Sequence, residues 1–176
     1  DRMGFLVMDE MFDVWTVGKT PLRSRQTLAD YHLYFHDWWR ADVTNTVLRD
    51  RNHPSVIIYS AGNEIHDITA HSDLGFRIFK PLRDLYHQLD PTRPVTLALL
   101  RPNQTGVYQN GFADLLDVVG QNYRENELVA AHKAHPNWKI IGTENHLDPD
   151  AWDYLRDTPA YAGQFIWTGY DYLGES

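Results

Sequence analysis

A chain of 176 residues with 43% apolar and 13% aromatic side chains is long enough to bury one substantial core and too apolar to be disordered. Its 16 Lys and Arg against 24 Asp and Glu, a formal charge of −8, offer no basic groove to a phosphate backbone and argue against nucleic acid as a partner. No cysteine is present, which excludes disulfide frameworks and thiolate zinc sites, and the longest apolar runs are strand-sized, far from the roughly 20 residues of a membrane helix.

The opening DRMGFLVMDE lacks the basic-then-apolar order of a signal peptide and reads as the interior of a domain, with a first strand over Phe5–Met8. A helical face follows at Phe35, Trp38, Trp39, Val43, Val47 and Leu48. The apolar run Val56–Tyr59 predicts a buried second strand. A second helix has its face at Leu82, Leu85, Tyr86 and Leu89; Pro81 is expected to start or restart it, because the periodicity is clear only afterwards. Further strands are expected over Val95–Leu99, Val118–Gln121, Lys139–Ile141 and Gln164–Trp167, with Asp148 capping a helix that begins at Pro149. RNHPS and DPTRP place prolines between a helix and the next strand.

Alternating strands and helices imply an α/β fold of parallel strands joined by right-handed crossovers. An open doubly wound sheet ordinarily carries a glycine-rich phosphate turn, and none is present. A (β/α)8 TIM barrel is the preferred architecture, since all its strand exits open on one face.

Two of those exits carry glutamates: SVIIYSAGNEIHD delivers Asn63 and Glu64, and WKIIGTENH delivers Glu144. An isolated glutamate after a strand is ordinarily a surface residue. Here Tyr123 follows DVVGQN and Trp167 closes GQFIW, so an amide, a phenol and an indole are expected at the same rim. Two carboxyl groups roughly 5 Å apart are what retaining cleavage of a glycosidic bond requires. A metal-dependent hydrolase is a competing reading, because His66, Asp67, His71 and Asp73 crowd one loop and His146 follows Glu144; no pair has the helical H-E-x-x-H spacing.

RDRNHPSVIIYSAGNE, DPTRPVT, DVVGQNY, IIGTEN and GQFIWTGYDYLGE, in that order, resemble the barrel domain of glycoside hydrolase family 2, the family of β-galactosidases and β-glucuronidases. MDEMFDVW and WTGYDYLGE look most like its bacterial β-galactosidase-type members. The resemblance implies that Glu64 is the general acid/base after the fourth barrel strand and Glu144 the nucleophile after the seventh. It also implies that Asn63 binds the sugar 2-hydroxyl, that Tyr123 hydrogen-bonds the nucleophile and that Trp167 lies beneath the bound sugar. Asp9 and Glu10 are expected as polar contacts in the same cleft.

On that mapping residues 1–176 are a partial barrel, strands three to eight, without the β-sandwich domains that precede the barrel in the family. The expected function is retaining hydrolysis of a terminal β-linked sugar, with a β-D-galactoside favoured. A β-glucuronidase or other β-glycosidase of the family is the alternative; its basic motif for the sugar carboxylate would lie beyond the equivalent of Ser176. A non-catalytic carbohydrate-binding fragment is the alternative of another class, and the isolated chain is expected to be a poor catalyst prone to aggregation or pairing. The mechanism requires no cofactor, and a structural metal ion is left open. The expected partner is a glycoside or oligosaccharide, without nucleic acid or membrane. A soluble protein, with homo-oligomerisation and compartment left open, completes the reading.

Overall fold

The computed structural model describes residues 1–19, 30–70 and 72–169; His71 and the last residues of the GQFIWTGYDYLGE phrase lie outside them. Six strands, β1 (Val7–Glu10), β2 (Val56–Asn63), β3 (Val95–Leu99), β4 (Val119–Asn122), β5 (Ile140–Asn145) and β6 (Tyr161–Ile166), form one sheet whose spatial order equals their order in the chain. All five pairings are parallel. Between the strands run α1 (Phe35–Asp50), the short α2 (Asp67–Ala70), α3 (Ser72–Leu89), the short α4 (Pro102–Thr105), α5 (Glu125–Ala134) and α6 (Pro149–Arg156). The result is a partial (β/α) barrel, in keeping with the expected fold class.

Two apolar layers follow from strand alternation. On the helix side, Tyr59, Ala61, Leu97, Leu99, Val119 and Ile140 pack with Val43, Val47, Phe79, Leu82 and Leu128 in the main core. On the concave side Met8, Ile58, Val118, Ile141 and Phe165 form a smaller cluster. Gly120 belongs to this inner face: a Cβ there would stand 2.5 Å from Thr143 Cγ2 and 2.7 Å from the Leu97 carbonyl oxygen. Only a residue without a side chain lets β3, β4 and β5 approach so closely.

Several boundaries differ from expectation, because a parallel strand ends where its partners stop hydrogen bonding rather than where its apolar residues stop. The first strand begins at Val7, whose N–H donates to the Ser55 carbonyl at 2.8 Å, while Phe5 and Leu6 are exposed. The second continues through Ser60, Ala61 and Gly62 to Asn63. Glu144 lies within β5 rather than after it. On α1, Phe35, Val43 and Val47 are buried, but Trp38 and Leu48 are exposed.

Pro81 neither starts nor restarts a helix: α3 runs unbroken from Ser72 to Leu89. Gly75, Phe79, Leu82 and Tyr86 make one buried stripe across it, while Pro81 itself is exposed. The backbone group that a proline leaves unpaired therefore falls on the solvent side, where water satisfies it. Asp148 does cap α6, its Oδ1 accepting from the N–H of Asp150 at 3.0 Å and of Ala151 at 3.2 Å.

The DPTRP turn closes the end of the sheet opposite the strand exits. Buried Asp90 accepts from the Tyr59 hydroxyl at 2.9 Å, the Thr92 N–H at 3.0 Å, the Thr92 hydroxyl at 2.5 Å and Arg93 Nη1 at 2.5 Å. Burial alone would raise its carboxyl; the donors from Thr92, Arg93 and Tyr59 outweigh burial and hold it down at about 2. A carboxyl depressed in the folded state stabilises the fold above its unfolded pKa of about 4, and the contribution disappears as pH falls towards 2. Asp90→Ala should accordingly cost about 2–3 kcal/mol at pH 7. In urea titrations the gap between wild type and variant should shrink markedly at pH 2.5. An equal gap at both pH values would contradict the assignment.

Candidate active site

Parallel pairing brings the exits of β2, β4 and β5 to one edge, and the backbone there is bent in a particular way. Glu64 and Tyr123, each directly after a strand, adopt left-handed conformations with φ of 47° and 54°. Such a conformation costs a side-chain-bearing residue on the order of 1 kcal/mol. The turns are held by main-chain bonds to neighbouring strands and to the loop after β1: Asn63 N–H to the Phe12 carbonyl at 2.8 Å, Glu64 N–H to that of Ala98 at 2.9 Å, and Tyr123 N–H to that of Glu144 at 2.6 Å.

The side chains so placed meet at Asn122. Its buried amide nitrogen lies 2.8 Å from Asn63 Oδ1, 3.2 Å from Glu64 Oε1 and 3.0 Å from Glu144 Oε2. Its Oδ1 accepts from the Thr143 hydroxyl at 2.7 Å, which sets the amide's orientation. One nitrogen thus touches both carboxylates, and its two distances added are the farthest these oxygens can be apart. Glu144 Oε1 accepts from the Tyr123 hydroxyl. Burial first, then the hydrogen bond to Glu144 and its charge, push the Tyr123 phenol up, so it keeps its proton and acts as donor. The His146 ring stands 4.5 Å from the Tyr123 ring, tilted by 32°.

Asn63 is occupied on both sides: its Oδ1 accepts from Asn122, and its Nδ2 donates to Asp13 Oδ1 at 3.0 Å. Trp167 follows β6, is 40% exposed and donates its backbone N–H to the Asn145 carbonyl at 2.9 Å; its bond to Thr168 is cis. Glu10 points to the concave face, where its Oε2 accepts from the Ser60 hydroxyl at 2.6 Å. Crowding by protein pushes its carboxyl up to about 7, with Asp13 and Glu144 adding to the rise and the Ser60 bond and Lys19 opposing it. Glu10 keeps solvent contact on the open side of the sheet, where water moderates that rise.

Asp9 does not join the cleft. It alternates with Met8 and Glu10 along β1, so its side chain faces the helices. There it hydrogen-bonds Asp50 and lies near Tyr59 and Tyr86, with Oδ2 buried and unpaired; burial and then the Asp50 charge raise its carboxyl. Consecutive strand residues cannot both line one face, and Glu10 holds the inner position. Of the residues considered for metal binding, buried Asp67 is otherwise engaged, accepting from the N–H groups of Thr16 at 3.1 Å and Val17 at 3.2 Å. Among the described residues no three His, Asp or Glu side chains gather as metal ligands.

Asn122, Thr143 and Asp13 are site residues that pattern reading missed. The usable signal was parity, since Asn122 shares the inner face of β4 with Gly120. Asp13 was signalled by its setting in FDVW, between two aromatics that anchor a loop.

Residues 1–168 match the family model described as glycosyl hydrolases family 2, TIM barrel domain. β-Galactosidase BoGH2A of Bacteroides ovatus is 30% identical over 251 residues, covering 99% of this chain and 28% of that protein. A solved glycosyl hydrolase family 2 member from Bacteroides cellulosilyticus DSM 14838 has a TM-score of 0.79 at 35% identity, over 99% of this chain and 22% of that one. A Bacteroides uniformis β-glucuronidase, at 21% identity and a TM-score of 0.67 over 92% of this chain and 23% of that one, shares the fold. The chain therefore spans about a quarter of the length of these relatives. Its six parallel strands and helices belong to glycosyl hydrolase family 2, as part of that family's TIM-barrel domain.

Proposed function

We propose that this segment carries the reaction centre of a retaining β-glycosidase, with Glu64 as general acid and base and Glu144 as nucleophile. The supporting observation is the single amide nitrogen of Asn122 within 3.2 Å of Glu64 Oε1 and 3.0 Å of Glu144 Oε2, a spacing suited to attack by one carboxylate while the other protonates the leaving group. A β-galactoside is the favoured substrate, since the curated relative BoGH2A is named a β-galactosidase.

In the first step Glu64 gives its proton to the glycosidic oxygen as Glu144 attacks the anomeric carbon, and the aglycone leaves. In the second, Glu64 takes a proton from water, which displaces Glu144 from the sugar. Tyr123 and Asn122 donate to different oxygens of Glu144, so the nucleophile is oriented before attack and stabilised again as the departing carboxylate. Trp167 offers an apolar face to the sugar ring.

Two experiments on the natural full-length protein test the division of labour. Glu144→Gly should lower hydrolysis by about 10³-fold or more yet turn over a glycosyl fluoride of inverted configuration, which replaces the covalent intermediate. Glu64→Ala should hurt substrates with poor leaving groups most, and azide should restore its deglycosylation. Identical responses of both variants to leaving group and azide would overturn the roles.

Asn122→Ala should lower kcat by about 10²-fold with little change in KM, because it loosens both carboxylates at once. Thr143→Val, which removes only the anchor of the amide, should cost less. Steady-state kinetics showing a loss confined to KM would instead make Asn122 a sugar ligand.

A further inference from the structure

The loop after β1 carries a carboxylate for which the two-glutamate chemistry has no role. Phe12, Val14 and Trp15 of FDVW are buried, with Trp15 fully enclosed and its Nε1 donating to the Ala61 carbonyl at 3.0 Å. Asp13 stands between these anchors and points the other way, its side chain 67% exposed. The same turn grips Asn63 twice, through the Phe12 carbonyl and through Asp13 Oδ1 at 3.0 Å. Asn63 in turn meets Asn122, which touches both glutamates. Asp13 is therefore a firmly held, solvent-facing carboxylate three hydrogen bonds from the reacting groups, with the Lys19 ammonium paired to its Oδ1.

We propose that Asp13, charge-paired with Lys19, is a specificity-determining residue of this cleft: it accepts hydrogen bonds from hydroxyl groups of a neutral sugar and disfavours a uronide. A carboxylate is an acceptor only, so it matches sugar hydroxyls, which donate. The carboxylate of a uronide would meet like charges from Asp13 and Glu144, both of which Glu10 feels, with the single ammonium of Lys19 offsetting one of them. Like charges brought together at a binding site select against the wrong ligand more strongly than a missing contact does. The Asp13–Lys19 pair thus separates galactosides from glucuronides within the glycosidase reading above, on which this inference rests.

The test uses the natural full-length protein with 4-nitrophenyl β-galactoside and 4-nitrophenyl β-glucuronide, comparing wild type with Asp13→Asn. Wild type should prefer the galactoside. The variant should lose about 10- to 100-fold in galactoside kcat/KM, mostly through KM, while glucuronide turnover holds or rises, so that the preference narrows at least about tenfold. An equal loss on both substrates, no change on either, or a wild-type preference for the glucuronide would overturn the role of Asp13 while leaving the glycosidase reading intact. Hydrolysis of neither substrate by wild type would overturn the β-galactoside assignment made above. Calorimetric binding of galactose against glucuronate to wild type and Asp13→Asn would then still decide the role of Asp13: a galactose preference lost in the variant supports it, and equal binding refutes it.

Discussion

Parallel pairing of six consecutive strands is the constraint on which everything else depends. It sends every strand exit to one edge, so residues 80 positions apart in sequence, Glu64 and Glu144, meet there without any local motif joining them. The intervening strands matter as much as the two that carry glutamates. β4 lies next to β5 and contributes Asn122 opposite Glu144, and β3 supplies the carbonyl of Ala98 that holds the turn at Glu64. Gly120 lets these strands come close enough for Asn122 and Thr143 to bond.

The site is built as a connected polar network on an otherwise apolar sheet. Asp13, Asn63, Asn122, Thr143, Glu64, Glu144 and Tyr123 form one chain of hydrogen bonds. A buried amide with all its groups engaged has one orientation, and it passes that definition to its partners. The left-handed residues Glu64 and Tyr123 belong to the same economy. Their strained backbone aims the side chains, and main-chain bonds to adjacent strands keep it in place. Asp67 does comparable work one layer out, tying Thr16 and Val17 to the loop behind Glu64.

Much of this was legible in the sequence because it depends on local pattern. The apolar runs at Val56, Val95 and Ile140 locate strands, Asp148 and Pro149 locate a helix start, and the words around Glu64, Tyr123 and Glu144 identify the family. Other features depend on contacts that no window of sequence contains. Pro81 sits inside α3 because its unpaired backbone group faces water, which periodicity before the proline did not reveal. Asp9 and Glu10 are adjacent in sequence and opposite in space, and only the partner strand shows which one turns inward. Asn122 falls just beyond the expected strand Val118–Gln121; its placement follows from Glu144 standing across the ladder.

The central claim is that Glu144 becomes covalently bonded to the sugar while Glu64 handles the proton. The most direct measurement is to treat the natural full-length protein with a 2-deoxy-2-fluoro-β-galactosyl fluoride, digest it and locate the added mass by peptide sequencing in a mass spectrometer. A fluorine at C2 slows both steps, and the good leaving group lets the covalent intermediate accumulate. The account predicts one fluorosugar per chain, on the peptide containing IIGTEN, at Glu144. Label on Glu64, or full inactivation with label on neither glutamate, would contradict it.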